Sequence, residues 1–443
     1  MSILPQLVFI LILGAAGYFV AKRVKFLRRN IFLGKKESRN DQPENRWKTM
    51  ALVAFGQQKM FKRFLPAFLH FLIYVGFVVI NLEVLEFILD GVLGTHRLFA
   101  PFLGEFYTVL MNIFEFLAVA VLLACVVFLT RRNISKIERF QKPEMKGWPT
   151  LDANLILVIE IILMVAILTM NATDQILAER GADHYLALGS LFFSALIRPL
   201  FEGMSETGLI LLERSAWWFH IIGILAFAIY VTYSKHLHIF LAFPNTWYSN
   251  LKPKGEMANM PEVTNEVKMM LGIPTENPSE APAEIARFGT KDINDLSWVN
   301  VMNAYSCTEC GRCTSECPAN LTGKKLSPRK IMMDVRDRAE EVGKSIDSGG
   351  PGLADGKSLL GDYITNEELN ACTSCNACVE ACPINIDPLS IILQMRRYVA
   401  MEESGSPAQW NAMFQNMETS FAPWKFSPAD RFNWAEKVKE EKM

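Results

Sequence analysis

The sequence has almost no net charge. Its 45 Lys and Arg nearly cancel its 46 Asp and Glu, leaving a formal charge of −1 over 443 residues. That balance argues against nucleic acid as the main partner, because phosphate binding rests on an excess of basic side chains. Nucleotide-binding signatures are missing too. No G-x-G-x-x-G run precedes a helical pattern, no P-loop occurs, and no nucleophile–base arrangement stands out. Flavin or nicotinamide chemistry is therefore left to a partner. Of nine cysteines, only Cys125 precedes residue 307. That distribution excludes a disulfide framework spread along the chain. Cys125, alone in an apolar run, reads as a small buried hydrophobe.

What the chain has in abundance is apolar surface. Hydrophobic residues make up 51% of it. Five apolar runs, near 3–21, 64–89, 106–130, 153–171 and 216–242, approach the ~20 residues that cross a ~30 Å hydrocarbon core. The first lacks a preceding basic region and a cleavage site, and is expected to be a retained helix. Residues 21–63 carry 13 Lys and Arg, and the 131–151 loop carries six. The opposite loops carry only Arg97 in 90–105, and Arg180 and Arg198 in 173–212. By the positive-inside rule the N-terminus faces outward, and everything after residue 243 lies on the cytoplasmic side of a bacterial inner membrane. Within the long outer loop, "YLALGSLFFSALIRPLF" is too short to span and is expected to be a helix that lies in the interface or caps the bundle.

Eight cysteines form two tight groups. "CTECGRCTSECP" supplies Cys307, Cys310, Cys313 and Cys317; "CTSCNACVEACP" supplies Cys372, Cys375, Cys378 and Cys382. Each is an unbroken C-x2-C-x2-C-x3-C-P run. Two such runs are the pattern of a protein with two [4Fe–4S] clusters, in which the fourth cysteine of each run ligates the other cluster. The expected sets are Cys307, Cys310, Cys313 and Cys382 for one cluster, and Cys372, Cys375, Cys378 and Cys317 for the other. Structural zinc is the weaker reading, since zinc sites usually draw their ligands from two separated pairs. Iron–sulfur chemistry also agrees with a reducing, cytoplasmic compartment.

The expected fold class is an all-α membrane bundle of five transmembrane helices joined to a small α-helical ferredoxin-type domain. The expected divisions are a membrane domain at 1–245, a proline-rich tether at 246–295, a two-cluster domain at 296–402 and an aromatic tail at 403–443. The glycine-rich "SGGPGLADGK" is expected to be a loop between the two cysteine groups.

Ionisable residues inside a bilayer are functional hypotheses by default. The fifth run carries His220, His236 and His238, and the second carries His70. On one continuous helix His220 and His238 would lie five whole turns apart on one face, with His236 on the other. Such bundles commonly hold haem b between histidines of facing helices. His70 and His238 are expected to form a cytoplasmic-side haem site, leaving His236 as a boundary residue. A second haem would use His220, with His96 as its candidate partner and His184 the next; the alternative is that His220 merely caps its helix. Glu83, Glu86, Glu115 and Glu160 also lie in or near the spans, where carboxylates could pass protons to a quinone.

The five-span part resembles the γ-subunit of respiratory nitrate reductases, whose fifth helix carries two haem histidines at the spacing of His220 and His238. The second helix of that family carries two more, ten residues apart. His70 matches the first, and Ile80 stands at the second. The soluble part resembles the C subunit of heterodisulfide reductase. "AYSCTECGRCTSECPANLTGKKLSPRKIMMDVRD" is similar to the membrane-bound iron–sulfur ETF:menaquinone oxidoreductases, in which both modules occur in this order before cysteine-rich CCG domains. The resemblance implies menaquinone as substrate and, as partner, a separate CCG-domain iron–sulfur polypeptide with ETF behind it. The tail "METSFAPWKFSPADRFNWAEK" is the expected docking surface. Electrons would run from a cytoplasmic donor through two clusters and haem b to menaquinone. Two other readings are the reverse flow, from quinol to a cytoplasmic disulfide or sulfur-compound reductase, and a redox sensor.

Overall fold

The computed structural model describes residues 3–274, 287–350 and 355–441. Part of the proline-rich segment (275–286), part of the glycine-rich loop (351–354) and the last two residues of the tail lie outside the described residues. Among the described residues the structure is helical, with isolated bridges and no strand.

Five helices are long and apolar enough to cross a membrane: α1 (Leu4–Ile31), α2 (Phe64–Leu93), α3 (Glu105–Asn133), α4 (Trp148–Glu179) and α5 (Glu206–Val231). Helix α4 packs on α5 and α3, α3 also packs on α2, and α1 lies across α2 and α5. In lipid, helices associate through close packing of small residues rather than through a hydrophobic drive. Two glycines show this. A Cβ at Gly76 of α2 would come within 2.5 Å of Val121 on α3, and one at Gly223 of α5 within 2.7 Å of Leu163 on α4. Helix α1 is held by Phe9, whose ring sits over Gly91 and beside Trp217 and Trp218.

The fifth apolar run does not form one helix to residue 242. Helix α5 ends at Val231, a short turn covers Lys235–Leu237, and α6 (His238–Trp247) begins a new axis. The cause is Asp152 near the start of α4. Its buried carboxylate accepts hydrogen bonds from Ser234 Oγ at 2.7 Å and from Lys235 N at 3.1 Å. Ser234 Oγ in turn accepts from His236 N. A satisfied carboxylate at the bend outweighs continuation of the helix. His220 and His238 therefore do not share a continuous helix, and the five-turn phase relation does not apply.

The long loop after α4 also differs from expectation. Only Ser194–Ile197 is α-helical there, followed by a tight turn at Arg198–Leu200. The rest is irregular because Glu115 of α3 captures the backbone, accepting from Phe193 N at 3.0 Å and Ser194 N at 3.1 Å. The loop therefore caps the bundle end, as one of the two expectations had it, but with a single short helix.

The cysteine-bearing part is built on α7 (Trp298–Ser306), α8 (Pro328–Asp347) and α9 (Pro388–Met401). It is docked on the bundle rather than hung from it. Arg23 pairs with Glu340 at 2.7 Å, Arg63 with Glu316 at 2.8 Å, and Arg329 with Glu144 at 2.7 Å. Asn245 Nδ2 donates to Ile384 O at 2.6 Å. The expected tether therefore begins inside an interface: Asn245, Thr246 and Ser249 are buried, and Pro261–Met270 is a helix. In the tail, α10 (Ala408–Ser420) buries none of its residues.

Arg329 is fully buried, and Glu144 is its carboxylate partner across the interface. Burial would raise the Glu144 carboxyl, but hydrogen bonds from Arg329 and Ser327 outweigh it and hold the group below its ordinary value. A depressed carboxyl contributes stability that is present above the unfolded pKa and is lost as pH falls through the folded one. Acidification below about pH 4.5 should therefore loosen the docked domain. Glu144→Gln should flatten that acid limb and cost about 3 kcal/mol at neutral pH, since it leaves a buried guanidinium unpaired. Thermal unfolding of the detergent-solubilised protein as a function of pH measures both.

Candidate redox centre

The two cysteine loops share one backbone design. In the first, Glu309 and Gly311 take left-handed φ values of 55° and 70°; in the second, Ser374 and Asn376 take 55° and 63°. Those turns fold each loop back so that an amide donates to the first sulfur. Glu309 N reaches Cys307 Sγ at 3.4 Å, and Ser374 N reaches Cys372 Sγ at 3.4 Å. Ile386 N likewise donates to Cys382 Sγ at 3.3 Å. Amide donors of this kind tune the potential of a cluster.

All eight cysteines are free thiols, and among them Cys375 alone is exposed. Neighbour relations cross between the runs. Cys382 lies in electrostatic reach of Cys307, Cys310 and Cys313. Cys317 lies in reach of Cys372 and Cys378. Burial pushes the Cys307 and Cys378 thiols up to about 12 and the Cys382 thiol up to about 11, with nearby cysteines adding to the effect. Cationic iron offsets that cost, since a coordinating thiol is deprotonated outright. Among the described residues, no three His, Cys, Asp or Glu side chains converge on a point that a single ion would fill.

A cavity of about 470 Å³ links the first cysteine loop to the interior of the bundle. His70, His220, His236 and His238 line it, together with Cys307, Cys310, Cys313 and Cys382. The His70 and His238 rings lie 6.2 Å apart between centroids. His70 Nδ1 faces Gln57 Oε1 at 3.1 Å, and His238 Nδ1 faces Lys235 O at 3.2 Å. The Lys235 carbonyl can only accept, so His238 Nδ1 carries the proton and its Nε2 keeps a lone pair; the Gln57 amide oxygen, as it stands, asks the same of His70. This is the outer-shell arrangement found behind histidines that ligate metals.

Around the same cavity stand Arg131, Arg132, Arg139, Arg312 and Arg329. Arg132 Nε and Nη2, Arg139 Nε and Arg329 Nε are buried without hydrogen-bond partners. Burial, with the neighbouring positive charge of Arg63 and Arg312, pulls Arg139 down to about 10. A crowd of under-neutralised guanidinium groups calls for an anion. Two paired imidazoles with open Nε2 atoms and a cluster of buried arginines have the chemistry of residues that would hold an anionic metal cofactor such as a haem b. In the sequence these arginines carry only a topology signal. Arg131, Arg132 and Arg139 are legible in "RRNISKIERF"; that the loop turns them inward to join Arg312 and Arg329 is not.

The remaining histidines sort themselves plainly. His236, expected at the boundary, faces the cavity, 5.4 Å from the His238 ring and 5.5 Å from Phe227, because the helix break rotates it inward. His220 is buried in the bundle, its Nδ1 facing Leu163 O at 3.0 Å and its Nε2 without a partner. His96 does not meet it. Its Nε2 bonds Asp174 at 2.9 Å and its Nδ1 faces Arg214 at 3.3 Å, in a polar cluster that also holds Arg97. His184 sits exposed in the loop. Glu86 and Glu115 are engaged in backbone and side-chain hydrogen bonds, whereas Glu83 is buried with both oxygens unpartnered. Cys125 is buried as expected, and lines the cavity.

Residues 306–386 match the family model of the 4Fe-4S dicluster domain. The chain is 26% identical, over 99% of its length, to a protein of Bacillus subtilis named as a probable iron-sulfur-binding oxidoreductase, FadF, and covers 61% of that protein. It is 27% identical, over 89% of its length, to the EtfAB:quinone oxidoreductase of Syntrophomonas wolfei, covering 54% of it. Over 23% of its length it is 32% identical to the C subunit of a ferredoxin/F(420)H(2)-dependent CoB-CoM heterodisulfide reductase of Methanosarcina acetivorans, covering 49% of that polypeptide. The chain thus spans a little over half the length of the first two relatives. No solved structure matches it. The dicluster match and the relatives support an iron–sulfur membrane protein of the oxidoreductase kind.

The crossed neighbour relations give a direct test. Cys382→Ser should perturb the EPR signal of the cluster held by Cys307, Cys310 and Cys313, and Cys317→Ser that of the other. If each substitution instead disturbs the cluster of its own run, the crossed assignment is wrong.

Proposed function

We propose that the chain is the membrane electron-transfer subunit of a quinone-linked oxidoreductase. One observation carries this reading: a single cavity is lined both by the thiols of the first cluster site and by His70 and His238. Electrons enter at the cluster of Cys372, Cys375, Cys378 and Cys317, where the exposed Cys375 marks the solvent side. They pass to the cluster of Cys307, Cys310, Cys313 and Cys382. His70 and His238 are the residues that would hold a haem b, which when bound would supply one-electron chemistry between that cluster and menaquinone.

The chain's own residues set the conditions for that relay. Gln57 and Lys235 O fix the ring tautomers, and Arg132 and Arg139 offer their open N–H groups to the propionates. Arg312 links the two centres. It sits inside the first cluster loop, and its guanidinium donates to Met60 O at 3.1 Å, just before α2. The basic loops support a cytoplasmic location for the cluster side. The donor is a soluble or CCG-domain iron–sulfur polypeptide, with ETF behind it. Its docking surface is the tail, where Trp410, Phe414, Phe421, Trp424 and Trp434 stand exposed, because exposed aromatics concentrate at interfaces.

Redox-monitored optical spectroscopy of the purified protein tests this. His70→Ala and His238→Ala should each abolish the reduced haem b band, while His236→Ala keeps it. A wild-type protein without haem, or equal loss in His236→Ala, would sink the proposal.

A further inference from the structure

The inner end of the cavity has a composition of its own. Beyond His70 and His238 it is walled by Ile80, Val121, Cys125, Leu163, Met164 and Ile224, with two polar groups among them: His220 and Glu160. His220 is 1% exposed, and its Nε2 has no hydrogen-bond partner. Its Nδ1 is tied to Leu163 O on α4. Glu160 stands three residues before Leu163 on the same helix, about 4.5 Å lower. Among the described residues no hydrogen bond or ion pair holds its carboxyl.

A second haem does not suit this end. Ile80 lines it where a ligand would be needed, and both ring nitrogens of His96 are engaged elsewhere. A buried imidazole nitrogen without a partner nevertheless costs free energy unless something meets it. The wall supplies a route for that something. Phe77 and Val78, 39% and 54% exposed, line the cavity from the middle of α2, and so does the exposed Asn81. These positions face the hydrocarbon of a bilayer, so the cavity opens sideways into lipid rather than to water. Asn81 donates its amide to the Phe77 carbonyl one turn back, which lets a polar side chain stand on this lipid-facing side.

We infer that this inner end binds the headgroup of a lipid-soluble quinone and its quinol, which enters between Phe77, Val78 and Asn81; in the quinol form one hydroxyl donates to the open His220 Nε2 and the other meets the Glu160 carboxyl. The inference rests on the proposed electron path and adds the place where that path ends. Reduction of the headgroup adds two electrons, delivered singly along the proposed path, and two protons. Each carbonyl oxygen gains an O–H bond as the ring becomes aromatic: His220, entering the step as its imidazolium, gives its Nε2 proton to one oxygen and is left neutral, and the protonated Glu160 carboxyl gives its proton to the other and is left a carboxylate. Oxidation of the quinol returns both protons to the same two groups. The apolar wall admits the flat ring and excludes bulk water.

The test uses the full chain in detergent micelles and 2-heptyl-4-hydroxyquinoline N-oxide, a fluorescent mimic of the quinol headgroup. Wild type should hold one haem and quench the probe on binding. His220→Ala should keep the haem and bind the probe about tenfold more weakly, as expected for loss of a buried hydrogen bond. His220→Gln should restore part of the affinity. Val78→Trp, on the lipid-facing side where folding is insensitive to it, should also weaken binding with the haem intact. Loss of haem in His220→Ala, or wild-type affinity in both His220→Ala and Val78→Trp, would overturn the inference while leaving the electron path standing. Absence of haem from the wild type would instead strike the path itself.

Discussion

The carboxylate of Asp152 is the constraint on which the centre depends. It sits near the start of α4, buried, and gathers Ser234 Oγ and Lys235 N into one bend. Because of that bend, His238 opens a new helix and reaches His70 of α2. The same bend points Lys235 at Glu309 in the first cysteine loop, and Glu309 is also paired with Arg336 of α8 at 2.8 Å. One side-chain anchor therefore positions an imidazole, a cluster loop and the docking of α8. Burial alone would raise the Glu309 carboxyl, yet Arg336 and Lys235 hold it lowered, so the contact is an ion pair and not a neutral hydrogen bond.

Docking follows from that arrangement. Two redox domains linked only by a flexible segment would meet at a variable distance, and electron transfer between them would vary with it. Here the interface is keyed by groups that leave no such freedom. Asn245 bonds both Ile384 O, beside Cys382, and Asn303 of α7. Lys59 Nζ reaches Val379 O at 3.0 Å and Asn385 Oδ1 at 2.9 Å. The second cysteine run is thus fastened to the membrane domain, as the first is by Arg312 on Met60 O.

Much of this was legible in the sequence. Long apolar runs announce membrane helices because the bilayer demands length and continuity, and the cysteine runs announce clusters because their spacing wraps a cubane. The pairing of His70 with His238 was readable from depth alone. The failures have one origin. Helical phase from His220 to His238 presumes a straight axis, and only a tertiary contact from Asp152, 82 residues before Ser234, breaks it. The inward turn of Arg132 and Arg139 and the capture of the outer loop by Glu115 are likewise long-range events that no local pattern encodes.

The repeated loop design has a consequence for energy rather than geometry. At the residue just before the second cysteine of each run, one loop carries Glu309 and the other Ser374. The acidic residue is bridged by two cations, Lys235 and Arg336. The neutral one is met by a single cation, Arg396, which also holds Cys372 O. At that position the two loops carry the same charge balance. They differ one cysteine later: Arg312 stands in the first run where Ala377 stands in the second, and Arg139 and Arg329 surround the first loop as well. The more positive surroundings therefore belong to the buried, membrane-side loop, and positive surroundings favour the reduced state of a cluster.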